Sequence, residues 1–167
     1  HLSIRRQRQM CIRDRYLCGV YLPPNMDTLE CVNIINAQIS KKPLTTRNGL
    51  VVGDFNMRLG QETGDHHKNS RGYALPNHLE NQGLIRYDMP YGIPTFFNGP
   101  KSWSIIDYIW AIGTYIHGNV SIYDSYNVGG TDHNIVSIKI SLPKHNILPT
   151  KKRYTFNLSK LHNEDIL

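Results

Sequence analysis

Beyond Gly83 the chain holds five short apolar runs, near residues 84–87, 94–97, 104–110, 119–126 and 135–142, with no helical pattern between any two of them. That spacing constrains the fold most. Parallel neighbours need crossovers of a dozen or more residues, usually helical, so these late strands argue against an all-parallel doubly wound sheet. The first half has a different rhythm. Tyr16 to Tyr21 reads as a strand ended by Pro23-Pro24. Asp27, with Glu30 three residues on, forms a capping box for a helix over 28–40, with Leu29, Val32, Ile35 and Ile39 on its apolar face. Gly49-Leu50-Val51-Val52-Gly53 is a short apolar strand, and a second helix is expected over 73–82, burying Leu75 and Leu79 and stopping at Gly83. Strands alternating with helices early, and strands alone late, predict an α/β protein built as a layered α/β sandwich.

Composition narrows the class. Apolar residues make up 40% of the 167, which suits a packed core and not a disordered chain. No run approaches the roughly 18 apolar residues of a membrane span, so no membrane partner is expected. Three cysteines, Cys11, Cys18 and Cys31, are too few and too irregular for a disulfide framework or a zinc site. No secretory apolar region is visible, and the setting reads as intracellular, the nucleus included. The net charge of +6 belongs to the ends: residues 1–15 carry +4, residues 143–167 carry +3, and residues 16–142 carry −1. A basic balance ordinarily points to nucleic acid, but here it does not describe the folded part. Residues 1–15 are expected to be a non-native or disordered basic segment that packs against nothing. Residues 16–142 form the domain, and 143–167 a basic linker or tail.

Three strand ends carry polar groups. Asp54 and Asn56 follow the strand that closes at Gly53. Asp107 interrupts the apolar run Ser104-Ile105-Ile106-Asp107-Tyr108-Ile109-Trp110, and Asp132-His133 stand before the last strand. Loops at the ends of rigid strands are where catalytic groups converge. Carboxylates, an amide and a histidine are what metal-assisted phosphodiester hydrolysis requires. Taken alone, Asp54-Phe55-Asn56 reads better as an Asx turn closing a strand, and Tyr21 and Thr95 as ordinary strand residues. Asp107 is harder to dismiss, because an unpaired buried carboxylate is costly; His133 is the candidate partner. His66-His67 lie in a polar loop without metal-ligand spacing and read as solvated. Trp103 and Trp110 read as core or rim.

In order and spacing, Gly53-Asp54-Phe55-Asn56, Ser104-Ile105-Ile106-Asp107-Tyr108-Ile109 and Thr131-Asp132-His133 resemble the endonuclease/exonuclease/phosphatase superfamily, whose fold is DNase I-like. Gly19-Val20-Tyr21-Leu22-Pro23-Pro24-Asn25 is similar to that family's strand ending in a tyrosine and prolines. Pro94-Thr95-Phe96-Phe97 resembles the same region of non-LTR retrotransposon endonucleases, and the stretch Lys151 to Leu161 resembles the segment that leads there toward a reverse transcriptase. The resemblance spans Tyr16 to about Leu142.

The resemblance implies a DNA endonuclease of retrotransposon type that uses magnesium, with manganese as the alternative, within a longer polyprotein containing a reverse transcriptase. Tyr21 would donate to the phosphate. Asp54 would orient or deprotonate the attacking water. Asn56 would hold Asp54 and reach a phosphate oxygen through its amide. Thr95 and Thr131 would bring hydroxyls to the substrate. Asp107 would fix the tautomer of His133, which presents its other nitrogen to the phosphate, and Asp132 would hold the metal. Thr131 stands where serine is usual. Nothing before Tyr16 matches the family's early asparagine and metal-binding glutamate. The domain is therefore expected to be truncated at its N-terminus and to have little activity alone. Two rivals remain: a phosphoesterase acting on phosphoinositide or another phospholipid, against which the polar loop 61–72 argues, and an inactive nucleic-acid-binding remnant.

Overall fold

The computed structural model describes residues 9–12, 15–40, 48–99, 101–113, 118–125 and 130–140. The tail 143–167 and residues 1–8 and 13–14 lie outside these residues. Nine strands, two α-helices and a short 3-10 turn (Gly60–Glu62) are described: β1 (Gln9–Ile12), β2 (Arg15–Tyr21), α1 (Thr28–Ser40), β3 (Asn48–Asp54), α2 (Ser70–Asn81), β4 (Leu84–Arg86), β5 (Phe96–Phe97), β6 (Trp103–Ser104), β7 (Asp107–Ile112), β8 (Gly118–Tyr123) and β9 (Ile135–Ile140). A five-stranded sheet runs β1-β2-β3-β7-β4, while β5-β6 and β8-β9 form two-stranded sheets. Among the described strands only β2 and β3, joined through α1, are parallel; β7 returns antiparallel to β3 and to β4. The late strands pair antiparallel, and the sheet is not all-parallel. The result is an α/β fold with mixed sheets and flanking helices.

Alternation along β2, β3 and β7 assigns the two faces. Tyr16, Cys18, Val20, Val51, Trp110 and Ile112 bury against α1 and α2, in one cluster with Cys31, Val32, Ile35, Ile39, Leu75 and Leu79. Leu50, Ile109 and Ala111 face the other way, toward Val136, Ile138 and Ile140 of β9 and Val120 of β8. Each fully buried aliphatic side chain contributes about 2 kcal/mol of hydrophobic stabilisation. Gly53, at the end of β3, has φ +140°, and a Cβ there would stand 2.0 Å from the Val20 carbonyl oxygen. Only glycine lets β2 and β3 close at this level.

Several expected details differ. Leu29, in the first turn of α1, is 60% exposed, and the buried stripe of the helix is Cys31, Val32, Ile35 and Ile39. Asp27 caps α1 by accepting from the Leu29 amide. Helix α2 begins at Ser70 and not near 73, because Asn69 is its N-cap and accepts from the Gly72 amide. The expected strand 104–110 is broken at Ile105 and Ile106. The Ile105 amide donates to the Asp65 carboxylate and the Ile106 amide to the Thr95 hydroxyl, so neither is free for a ladder. Gln9–Ile12 was expected to lie outside the fold with the rest of 1–15; its backbone pairs antiparallel with β2.

Candidate active site

Register brings the strand ends together. Tyr21 lies across from Asp54 in the β2–β3 ladder, and Asp54 lies across from Asp107 in the β3–β7 ladder. Residues paired in this way project from the same face. By the same alternation, that face is the one that meets the β8–β9 hairpin, and His133 stands just before β9. Its Nδ1 lies 3.0 Å from Asp107 Oδ2. The carboxylate that interrupts an apolar strand therefore has the partner its burial demands.

Asp54 and Asn56 form the Asx turn that the residue types suggest, and the turn is part of the site. The Asn56 amide donates to Asp54 Oδ1 at 2.7 Å and its Nδ2 donates to Asp54 Oδ2 at 3.1 Å. A left-handed backbone at Asn56 (φ 46°) makes this return possible. Nδ2 also donates to the Leu22 carbonyl at 3.0 Å. Both amide hydrogens are then engaged. A phosphate contact through the Asn56 NH2, expected from the resemblance, would require breaking one of these bonds.

Thr95 also departs from expectation. Its side chain is fully buried, and its hydroxyl oxygen accepts from the amides of Ile106 and Asp107 at 3.0 and 3.1 Å. A group with no solvent-facing surface holds the start of β7 in place and offers no hydroxyl to a substrate. By contrast Tyr21 is 52% exposed, and Thr131 and Asp132 are both exposed. The Thr131 hydroxyl accepts from the His133 amide at 3.3 Å.

The backbone around His133 is held from three sides. The Phe97 amide donates to the Asp132 carbonyl and the Asn134 amide to the Thr95 carbonyl, both at 2.8 Å. The Ser125 hydroxyl donates to the His133 carbonyl at 2.6 Å, and Asn134 joins Ser125 to Pro94 through its side chain. Phe96 packs on the His133 ring with centroids 4.9 Å apart. Ser125 and Asn134 were not singled out from the sequence, since neither residue type nor spacing marks them.

Electrostatics set the two carboxylates apart from ordinary ones. Burial pushes Asp54 up to about 6; the Asn56 amide pulls against this, neighbouring Asp107 adds to it, and His133 and Arg71 oppose it. Burial raises Asp107 as well, opposed first by His133 and then by Thr95, while Asp132 pushes it further up. Among the described residues no three His, Cys, Asp or Glu side chains form a metal-binding group. Exposed Asp132 offers one hard oxygen ligand. A divalent cation here would depend on water and substrate oxygens for the rest, the manner in which magnesium is commonly held. His66, expected to be solvated, is exposed and packs on half-buried Trp103 with ring centroids 4.4 Å apart, and Trp110 is fully buried.

No protein-family model matches the chain, and no curated protein matches it. Its structure is similar to the solved structure of the endonuclease domain of TRAS1, a telomere-specific non-LTR retrotransposon, with a TM-score of 0.64 and 21% identity over 81% of this chain. The chain spans 61% of the length of that structure. The likeness establishes a shared fold. No helix among the described residues is long and apolar enough to cross a membrane.

Proposed function

We propose that this chain carries a divalent-metal-dependent phosphodiesterase site of the DNase I-like superfamily, acting on DNA as a retrotransposon-type endonuclease. The observation that carries this reading is the row Tyr21–Asp54–Asp107 with His133 paired to its last member. It supplies a carboxylate beside a histidine that another carboxylate orients. The shared fold with a retrotransposon endonuclease domain supports the choice of substrate.

Each residue has a role that its surroundings permit. Asp54, held by Asn56 with a proton affinity near neutrality, takes the proton from the attacking water; a general base works best with such a value. Asp107 bonds Nδ1 of His133 and so leaves Nε2 to the phosphoryl oxygen. Tyr21 and Thr131 offer exposed hydroxyls to the phosphate. Asp132 contributes the metal ligand, and magnesium, with manganese as substitute, would neutralise charge on the phosphoryl oxygen when bound. Thr95 acts from inside, by fixing Asp107.

Supercoiled plasmid tests the proposal. Micromolar protein with magnesium should convert it slowly to the nicked form. The conversion should stop with chelator, with His133→Ala and with Asp54→Asn. Equal nicking by wild type and both variants, or none by any of them, would refute the assignment. Binding of DNA without nicking would leave the inactive nucleic-acid-binding remnant as the better reading, and hydrolysis of phosphoinositide but not plasmid would favour the lipid-directed one.

A further inference from the structure

We infer that Arg71 is a positioning residue for this site, a buried guanidinium that ties the end of β2 to the end of β3. The first turn of α2 carries it inward, where it is 4% exposed. Its partners are backbone carbonyls. Nη1 donates to Leu22 at 3.1 Å and to Phe55 at 2.9 Å. Nη2 donates to Pro23 and Met26, each at 2.7 Å, with the Pro24 carbonyl at 3.5 Å. Among the described residues Arg71 forms no ion pair.

Those carbonyls belong to the segments that carry the candidate groups. Leu22 follows Tyr21. Phe55 lies between Asp54 and Asn56. The Leu22 carbonyl accepts from Arg71 Nη1 and from Asn56 Nδ2 together, and the Leu22 amide donates to the Asp54 carbonyl at 2.9 Å. One guanidinium therefore governs a closed circuit: Arg71 to Leu22, Leu22 to Asp54 and Asn56, and Phe55 back to Arg71. Only a planar fork with donors on two nitrogens reaches both loops at once; an ammonium group donates from a single point.

Helix α2 is seated firmly enough to act as the base of this clamp. A Cβ on Gly72 would lie 1.9 Å from the Arg58 carbonyl oxygen, so the helix start is in backbone contact with the loop after β3. Asn69 adds a second link, accepting from the Arg58 amide and donating to the Asn56 carbonyl, both at 3.0 Å. Arg71 touches no solvent-facing part of the site, so it acts through the residues it holds. This role rests on the proposed reaction for its consequence but not for its geometry.

The test uses Arg71→Lys and Arg71→Met in the whole chain. Amide hydrogen exchange and the 13Cγ titration of Asp54 are followed by NMR without substrate, and plasmid nicking with magnesium is followed separately. In Arg71→Lys, exchange at Leu22 and Asn56 should quicken about tenfold or more, the consequence of losing bonds to the shared carbonyls. The Asp54 titration should stay in place because the charge remains. In Arg71→Met it should also move upward, since only Asp107, His133 and the Asn56 amide then act on the buried carboxylate. Turnover in nicking should fall about tenfold in both variants at unchanged KM for the plasmid. Wild-type exchange at Leu22 and Asn56 in Arg71→Lys would overturn the inference. So would an equal loss of protection throughout α1 and β7, which would make Arg71 a general stabiliser. If Arg71→Met does not fold, Arg71→Lys decides alone. Exchange and titration need no turnover, so a wild-type chain that fails to nick would sink the proposed reaction and leave this inference decided by NMR.

Discussion

Replacing His133 with alanine tests the pairing on which the site turns, and stability is its cleanest readout. The Asp107 side chain is 16% exposed and the His133 side chain 32%, with 3.0 Å between Nδ1 and Oδ2. A hydrogen bond to a charged group is worth about 1.5–3 kcal/mol; a third of the imidazole faces solvent, and screening reduces this to about 1–2 kcal/mol. For a chain of this size that lowers Tm by about 2–8 °C. Part of the loss comes from the contact of the His133 ring with Phe96. A double-mutant cycle with Asp107→Asn isolates the pair, and the expected coupling is about 1 kcal/mol. Its pH dependence has a definite sign. Burial raises Asp107, so the folded state holds the proton more tightly than the unfolded state. Its contribution is full in acid and is lost as pH rises through the folded value. Without His133 the folded value rises further. The deficit of His133→Ala must therefore be larger at pH 8 than at pH 5. Urea unfolding of the four proteins at both pH values measures it. No coupling, or a deficit that shrinks on going to pH 8, would refute the reasoning.

Three further outcomes follow from the same geometry. Nicking should rise about tenfold per pH unit below pH about 6 and level off above it, because Asp54 must be ionised to accept a proton and its value is about 6; a pH–rate profile in magnesium checks this, and a flat profile would remove Asp54 as the base. Gly53→Ala should destabilise the chain by about 2–4 kcal/mol in denaturant unfolding, through backbone overlap and a positive φ, and an effect within about 0.5 kcal/mol would show that β2 and β3 are not held this closely. Asp132→Asn, at an exposed position, should leave Tm within about 2 °C while weakening manganese binding, read as loss of paramagnetic broadening at the His133 ring; unchanged broadening would place the cation elsewhere.

Much of the fold was legible because its signals are local. Strands β2 and β3 and helix α1 were marked by apolar runs, glycines, prolines and a capping residue, each acting within a few positions of the chain. The absence of crossover length between the late strands spoke against an all-parallel sheet, and the structure pairs them antiparallel. Asp107 announced itself by chemistry alone: a carboxylate in an apolar strand needs a partner, and His133 provides it. Other features depend on contacts distant in sequence, and no local pattern encodes them. Thr95 looked like a hydroxyl for the substrate. Burial turned it inward, to backbone amides eleven and twelve residues away. The Asn56 amide looked available until the Leu22 carbonyl, 34 residues earlier, took its second hydrogen. Arg71 sat unremarked in a polar run because a surface arginine and a buried one are written alike. Only the packing of α2 against the ends of β2 and β3 removed it from water and supplied the carbonyls that its charge then required. Residue types determine which chemistry the chain can offer; desolvation and long-range hydrogen bonding, which exist only once the sheet is assembled, decide which groups remain free to perform it.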